Sequence, residues 1–329
     1  MSAHEQFNRS SSEIYKKISK HIPEIEWKIH APLIDKINKL KKKKNAVILA
    51  HNYQTPEIFH GVSDIAADSL ALAVEASKTK ADMIILCGVH FMAETAKLMS
   101  PEKKVFIPDM SAGCSLASSI TGEDVRLLKK QYPGVPVVSY VNTSADVKAE
   151  TDICCTSANA VKVVESLKTD KVIFLPDQHL ANYVAKQTNV KIISWKGSCI
   201  VHEQFSAEEI KEIRKNNPGI KIIGHPECPS DVLDACDFAG STGGMIKYVK
   251  ENQPKKVMLV TECSMSDNVQ SDNPNVKFIK PCNLCPYMKK ITLEKILNCL
   301  ENETNEILLD TKIIEAARKS VIRMTDIGR

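Results

Sequence analysis

The chain has 329 residues, 43% of them apolar and 26% charged, with a net charge of +4. That composition fills two or three globular cores and makes an ordinary soluble surface. So small a charge excludes a strongly basic nucleic-acid-binding protein and gives no reason for an acidic membrane surface as a partner.

The longest apolar runs, such as 46–50 and 83–87, fall far short of the roughly 20 residues that span a bilayer. The first thirty residues carry Glu5, Glu13, Glu24 and Glu26 and lack the apolar core of a signal peptide. The expected location is therefore cytoplasmic. Structural disulfides are rare in a reducing compartment, so the eleven cysteines read as core residues, nucleophiles or metal ligands.

In chain order, residues 1–30 read as an N-terminal helical extension, and Lys41 to Lys44 as a solvated helix end. A first unit, 31–120, opens on an apolar strand over 47–53 that ends in His51, Asn52 and Tyr53. Asp68 and Ser69 then start an apolar helix, strands follow over 83–87 and 104–108, and Cys114 comes next.

The second unit, 121–205, repeats that order. A capping box from Thr121 to Asp124 starts a helix that closes on Tyr132-Pro133-Gly134. The strand over 137–142 ends in Tyr140 and Asn142, and Thr156 and Ser157 precede an apolar helix. Strands over 172–176 and 191–195 lead to Cys199.

The third unit, 206–290, has the capping spacing Ser206 to Glu209 and the turn Asn217-Pro218-Gly219. Its first strand ends in His225 and Glu227, and Ser241 and Thr242 precede a helix. Strands over 257–261 and 277–281 lead to Cys285. Residues 291–329 read as C-terminal helices covering the core. The three cysteines stand 85 and 86 residues apart, in register with the strand ends.

Short apolar strands alternating with helices predict parallel sheets covered on both faces. Three units in register predict an α/β fold of three pseudo-threefold-related αβα repeats, with short parallel sheets around a central iron–sulfur or other metal site. Ligands bind beyond the carboxyl ends of such strands, which brings Cys114, Cys199 and Cys285 together as candidate metal ligands. All-thiolate ligation favours zinc or iron–sulfur. Structural zinc usually takes four protein ligands, whereas three cysteines on a cubane leave one iron open as a Lewis acid.

Cys87, Cys154, Cys155, Cys228, Cys236, Cys263 and Cys299 read as packing or incidental thiols. Cys282, in C-x-x-C spacing with Cys285, reads as a fourth ligand or a redox partner of Cys285. His51, Tyr53, Tyr140, Asn142, His225 and Glu227 supply acid–base and orienting groups at strand ends. Ser69, Thr156, Ser157, Ser241 and Thr242 stand at predicted helix starts, where free N–H groups bind anions. The expected substrate carries several carboxylates or phosphates.

The residues also carry a resemblance. Ala50-His-Asn-Tyr-Gln54, Gly61-Val-Ser-Asp64 with Asp68-Ser69, and Val89-His-Phe-Met-Ala-Glu-Thr95 stand in the first unit, with Pro108-Asp-Met-Ser-Ala-Gly-Cys-Ser-Leu-Ala117 at its end. Tyr140-Val-Asn142, Cys155-Thr-Ser-Ala-Asn159 and Leu175-Pro-Asp177 follow, then His225-Pro-Glu-Cys228, Gly240-Ser-Thr-Gly243 and Cys285-Pro-Tyr-Met288. Together they resemble the quinolinate synthase family over residues 32 to 310.

The resemblance implies three αβα domains around a 4Fe–4S cluster held by Cys114, Cys199 and Cys285. It also implies a transferase that condenses iminoaspartate with dihydroxyacetone phosphate to quinolinate, water and phosphate in NAD biosynthesis. His51, Tyr53, Ser69, Tyr140, Asn142, Ser157, His225, Glu227, Ser241 and Thr242 would line the substrate cavity. Tyr53, Glu227 and His51 would have catalytic roles, with Glu227 and Tyr53 moving protons and the open iron assisting the final dehydration. His202, in Cys199-Ile-Val-His202, resembles a lesser family feature.

Some family members carry C-x-x-C-x-x-C at the last ligand, whereas this chain has only Cys282 and Cys285. The cysteine before Pro-Tyr-Met is the family ligand. Coupling to an L-aspartate oxidase is a further implication, with no nucleic acid and no membrane as partner. The competing readings are a diphthamide-synthesis type of iron–sulfur enzyme, a non-catalytic iron–sulfur sensor or carrier, and a zinc-binding structural protein.

Overall fold

Three sheets of one design are built in turn along the chain. The structure is a computed structural model describing residues 4–5, 10–280 and 282–328. Residues 1–3 and 6–9 of the expected N-terminal extension, Pro281 in the last expected strand, and Arg329 lie outside the described residues.

The first sheet comprises β1 (His4–Glu5), β2 (Ala46–His51), β3 (Ile65–Ala67), β4 (Met83–Cys87) and β5 (Lys104–Phe106), in the order β1-β3-β2-β4-β5. The second comprises β6 (Val137–Tyr140), β7 (Ile153–Cys155), β8 (Lys171–Leu175) and β9 (Lys191–Ser194), ordered β7-β6-β8-β9. The third comprises β10 (Lys221–Gly224), β11 (Phe238–Ala239), β12 (Lys256–Val260) and β13 (Lys277–Phe278), ordered β11-β10-β12-β13. Except for β1, which pairs antiparallel with β3, neighbouring strands run parallel.

Each unit therefore has one strand more than the sequence reading gave. β3, β7 and β11 are two or three residues long, too short for an apolar run to register.

The common design extends to details. The turn before the first strand of each unit needs a left-handed residue: Asn45 (φ 46°), Gly134 (φ 75°) and Gly219 (φ 79°) supply it. A carboxylate just before the second strand accepts the backbone N–H of a residue in the first. Asp64 Oδ2 takes Ile48 N at 2.8 Å, Asp152 Oδ2 takes Val137 N at 2.7 Å, and Asp237 Oδ2 takes Ile222 N at 2.8 Å.

Alternate side chains go to opposite faces of each sheet. In the third, Ile223, Val257 and Leu259 join one core, while Ile222, Met258 and Val260 join another. In the second, Val138, Val172 and Phe174 face the largest core, and Val137, Ile173 and Leu175 a separate one. Burial on both faces explains why the strands read as continuous apolar runs.

Two local expectations are corrected. Lys41 is no solvated helix end. It is buried near the end of the helix Glu24–Lys43, where its ammonium lies 2.8 Å from Asp64 Oδ1 and donates to the Val62 carbonyl at 2.7 Å. Burial lowers its pKa, and Asp64 opposes that shift. Thr156 and Ser157 do not open a helix: the helix Ala160–Ser166 starts later, and Thr156 sits in a turn closed by Asn159.

The Thr121 capping box forms as expected, and Ser206 caps its helix by accepting from Glu209 N. The helix Leu293–Asn302 packs on Glu24–Lys43. The helix Thr311–Ile327 packs on Ala145–Ala149 and β7, where Ser320 donates to the Lys148 carbonyl and Arg323 to the Asp152 carbonyl. No helix among the described residues is long and apolar enough to cross a membrane.

Candidate active site

Beyond the last strand of each sheet the chain makes one and the same turn around a cysteine. Cys114, Cys199 and Cys285 each precede a short 3-10 turn, at Ala117–Ser119, His202–Gln204 and Met288–Lys290. In each, the carbonyl of the cysteine accepts from the N–H four residues on, at 3.0, 3.0 and 3.1 Å. Each sulfur faces the N–H groups two and three residues ahead: Leu116 and Ala117, Val201 and His202, Tyr287 and Met288.

Burial pushes the Cys114 thiol up to about 12 and raises those of Cys199 and Cys285, while the N–H donors pull the other way. Each turn is thus shaped to hold a sulfur whose negative charge is completed by something bound to it. Three half-buried thiols, each with two N–H donors, fit a cluster that takes three thiolates. They do not fit closed tetrahedral zinc, which needs a fourth ligand.

The three cysteines share one cavity wall with the strand-end and helix-start candidates His51, Tyr53, Ser69, Tyr140, Asn142, Thr156, Ser157, His225, Glu227, Ser241 and Thr242. The cavity leaves about 70 Å³ to the centres of water-sized molecules. That is several times what one water requires.

Two of its histidines are held alike. His51 Nδ1 accepts the backbone N–H of Tyr53 at 3.2 Å, and His225 Nδ1 accepts that of Glu227 at 3.3 Å. A neutral ring so held carries its proton on Nε2. His225 Nε2 lies 3.3 Å from Ser157 Oγ. Burial lowers the pKa of His51 to about 4 and that of His225 to about 3, so both are neutral donors near pH 7.

Glu227 is buried at the centre of the acid–base groups. Its Oε1 accepts the Tyr140 hydroxyl at 2.5 Å, and its Oε2 lies 2.8 Å from His202 Nδ1, off the line of an in-plane N–H. Burial alone would raise this carboxyl. His202 and the Tyr140 hydroxyl outweigh it and hold the group below the ordinary carboxylate range. Burial, then the neighbouring Glu227 charge, raises both Tyr53 and Tyr140, which keeps the two phenols protonated.

The anion-binding elements are more modest than the sequence reading had them. Ser241 caps the helix Thr242–Asn252 by accepting from Gly244 N, and Thr242 accepts from Asn52 Nδ2 at 3.0 Å. Ser69 is the first residue of the helix Ser69–Lys78, which Asp68 caps. Ser157 reaches the cavity from a turn, not from a helix start.

Two groups escaped the sequence reading or ranked low in it. His202 is buried, stacked on His225 with ring centroids 4.7 Å apart, and its ligand atoms, Cys199 Sγ and a Glu227 oxygen lie within 4.8 Å of one another. Thr261, one residue past β12, bonds both Tyr53 and His202 from behind the wall. A single hydroxyl at the end of an apolar strand gives no signal that could have flagged it. Cys282 does not line the cavity: its sulfur lies 3.1 Å from that of Cys263, not paired with Cys285.

The profile of one protein family, described as Quinolinate synthetase A protein, matches residues 35–326. The quinolinate synthase of Sinorhizobium fredii is 60% identical over 319 residues, covering 97% of this chain and 89% of its own. That of Caulobacter vibrioides is 58% identical over 318 residues, covering 95% and 87%. That of Xylella fastidiosa is 62% identical over 291 residues, covering 88% and 86%. Identity at this level along nearly the whole length, over three sheets of one design, leaves no room for a merely similar architecture: the chain belongs to the quinolinate synthetase A protein family.

Proposed function

We propose that this chain forms quinolinate by condensing iminoaspartate with dihydroxyacetone phosphate, releasing phosphate and water, on a 4Fe–4S cluster held by Cys114, Cys199 and Cys285. The activity of a quinolinate synthase follows from the family. The observation that carries the finer reading is the convergence of three identically built cysteine turns on one cavity that also holds Glu227, Tyr140, Tyr53 and two neutral histidines.

When bound, such a cluster supplies Lewis acidity at the iron that no cysteine holds, suited to the loss of a hydroxyl as water. The chain's own residues account for the rest. Moving a carbonyl along a triose, and closing a ring through nitrogen, each require a proton to leave one atom and arrive at another. Glu227, an ionised carboxylate in the cavity wall, and Tyr53, a protonated phenol, form an acid–base pair for those transfers. His51 and His225 offer Nε2–H to carbonyl or carboxylate oxygens without adding a charge. Ser69, Ser241 and Thr242, at helix starts, and Asn142 and Ser157 suit the two carboxylates and the phosphate.

The three sheets support repeats at 31–120, 121–205 and 206–290, with 1–30 and 291–329 as flanking segments. A cytoplasmic location and hand-over of iminoaspartate from an L-aspartate oxidase belong to the same reading.

The test is an anaerobic assay with the cluster loaded. Iminoaspartate and dihydroxyacetone phosphate should yield quinolinate and one phosphate per turnover. Cluster-loaded chain that releases phosphate without quinolinate, or makes neither, would overturn the reading.

A further inference from the structure

We propose that Lys289 and Glu262 are positioning residues: their ion pair ties the turn that carries Cys285 to the backbone of Tyr53. One strut then sets both the third cluster ligand and the acid–base phenol. Its role toward the cluster rests on the function proposed above; the strut itself rests on geometry.

Glu262, two residues past β12, is fully buried. Its Oε1 accepts the backbone N–H of Cys285 at 3.4 Å, and its Oε2 accepts that of Ser264 at 2.9 Å, capping the helix Cys263–Asp272. Lys289 closes the same turn from its far end, where its backbone N–H donates to the Cys285 carbonyl at 3.1 Å. An ammonium has three N–H donors, and three acceptors surround this one. They are Glu262 Oε1 at 2.9 Å, the Tyr53 carbonyl at 2.7 Å and Ser264 Oγ at 2.7 Å. Neither Lys289 nor Glu262 lines the cavity, whereas Cys285 and Tyr53 both do.

The strut breaks the threefold design. Asp177 holds the place of Glu262 in the second unit: two residues past β8, it caps the helix Gln178–Ala185. Its Oδ2 has no hydrogen-bond partner among the described residues. Ser118 and Glu203, four residues past Cys114 and Cys199, stand where the third unit has Lys289, and neither is a cation. Common design therefore does not account for the pair; a need peculiar to the third turn does. The strand before that turn, β13, is two residues long, against three in β5 and four in β9, so its sheet gives it the least hold. The lysine supplies the missing hold and takes it from the first unit.

Lys289→Met removes the tie. Lys289→Met with Glu262→Gln removes it without leaving an uncompensated buried charge. Lys41→Met is the control, a broken buried ion pair whose partners Asp64 and Val62 belong to no cysteine turn. In cluster-loaded protein, loss of iron to a chelator should run about 10–100-fold faster in both Lys289 variants, the range for a lost outer-shell partner. It should keep the wild-type rate in Lys41→Met. In the double variant kcat should fall about 10-fold, with KM for the triose phosphate nearly unchanged. Wild-type iron loss in both Lys289 variants, or loss as fast in Lys41→Met, would overturn the proposal.

Amide exchange needs neither cluster nor turnover. Local opening rather than global stability sets the exchange of such a turn. In the anaerobically purified chain, deuterium should enter residues 285–289 faster in both Lys289 variants than in wild type, and no faster in Lys41→Met. Unchanged exchange in the Lys289 variants overturns the strut even if no cluster is ever found.

Discussion

Tyr140, at the end of the first strand of the second sheet, donates its hydroxyl to Glu227 of the third unit over 2.5 Å. The bond crosses between two units and joins residues 87 apart in the sequence. It ties the ionisation of the buried carboxylate to how two sheets are packed, and the first prediction follows from that tie.

Glu227→Gln keeps the shape and removes the charge. Turnover should fall about 10²–10⁴-fold, the range for losing a general acid–base group, with iron content unchanged. Steady-state rates on cluster-loaded protein decide the matter. Near-normal turnover would show that Glu227 moves no proton.

The second prediction concerns pH. The folded chain holds His51 and His225 neutral down to about 4 and about 3, whereas an unfolded chain protonates them near 6.5. Between those values the unfolded state binds more protons, so stability is full above about pH 6.5 and declines as pH falls towards 4 and below. Melting temperature measured from pH 7.5 to 5 should drop, and the slope should lessen in His225→Gln. A flat profile would contradict the burial assigned to these rings.

Much of this was legible because the chain repeats itself. Cys114, Cys199 and Cys285, and the polar groups at 51–53, 140–142 and 225–227, recur in register beside apolar runs, and a repeat multiplies a weak signal. What stayed hidden depends on tertiary partners. Asp64, Asp152 and Asp237 recur as faithfully as the cysteines, but a carboxylate that braces a backbone N–H looks like any loop aspartate. β11 is two residues long and has no period to read. Lys41 sits in a lysine run indistinguishable from a solvated one, and only the fold brings Asp64 to it.

That buried pair gives a third prediction. Lys41→Met leaves the Asp64 carboxylate buried with the Ile48 N–H as its remaining described partner. The loss should be about 3–5 kcal/mol, as for breaking one side of a buried ion pair. Lys41→Met with Asp64→Asn should recover part of it. Urea unfolding under anaerobic conditions measures both. A shift below about 1 kcal/mol, the scale of an exposed pair, would mean the pair is solvated.

The most direct test of the three-cysteine site is an iron and sulfide count on anaerobically purified protein, with its optical spectrum. The wild-type chain should carry about four irons and four sulfides, as one 4Fe–4S cluster requires, with a broad visible absorption. Cys114→Ala, Cys199→Ala and Cys285→Ala should each lose it, and Cys282→Ser should keep it. A colourless zinc protein, or a cluster that survives all three alanine substitutions, would contradict the account and leave the three cysteine turns as a shared design without a shared metal.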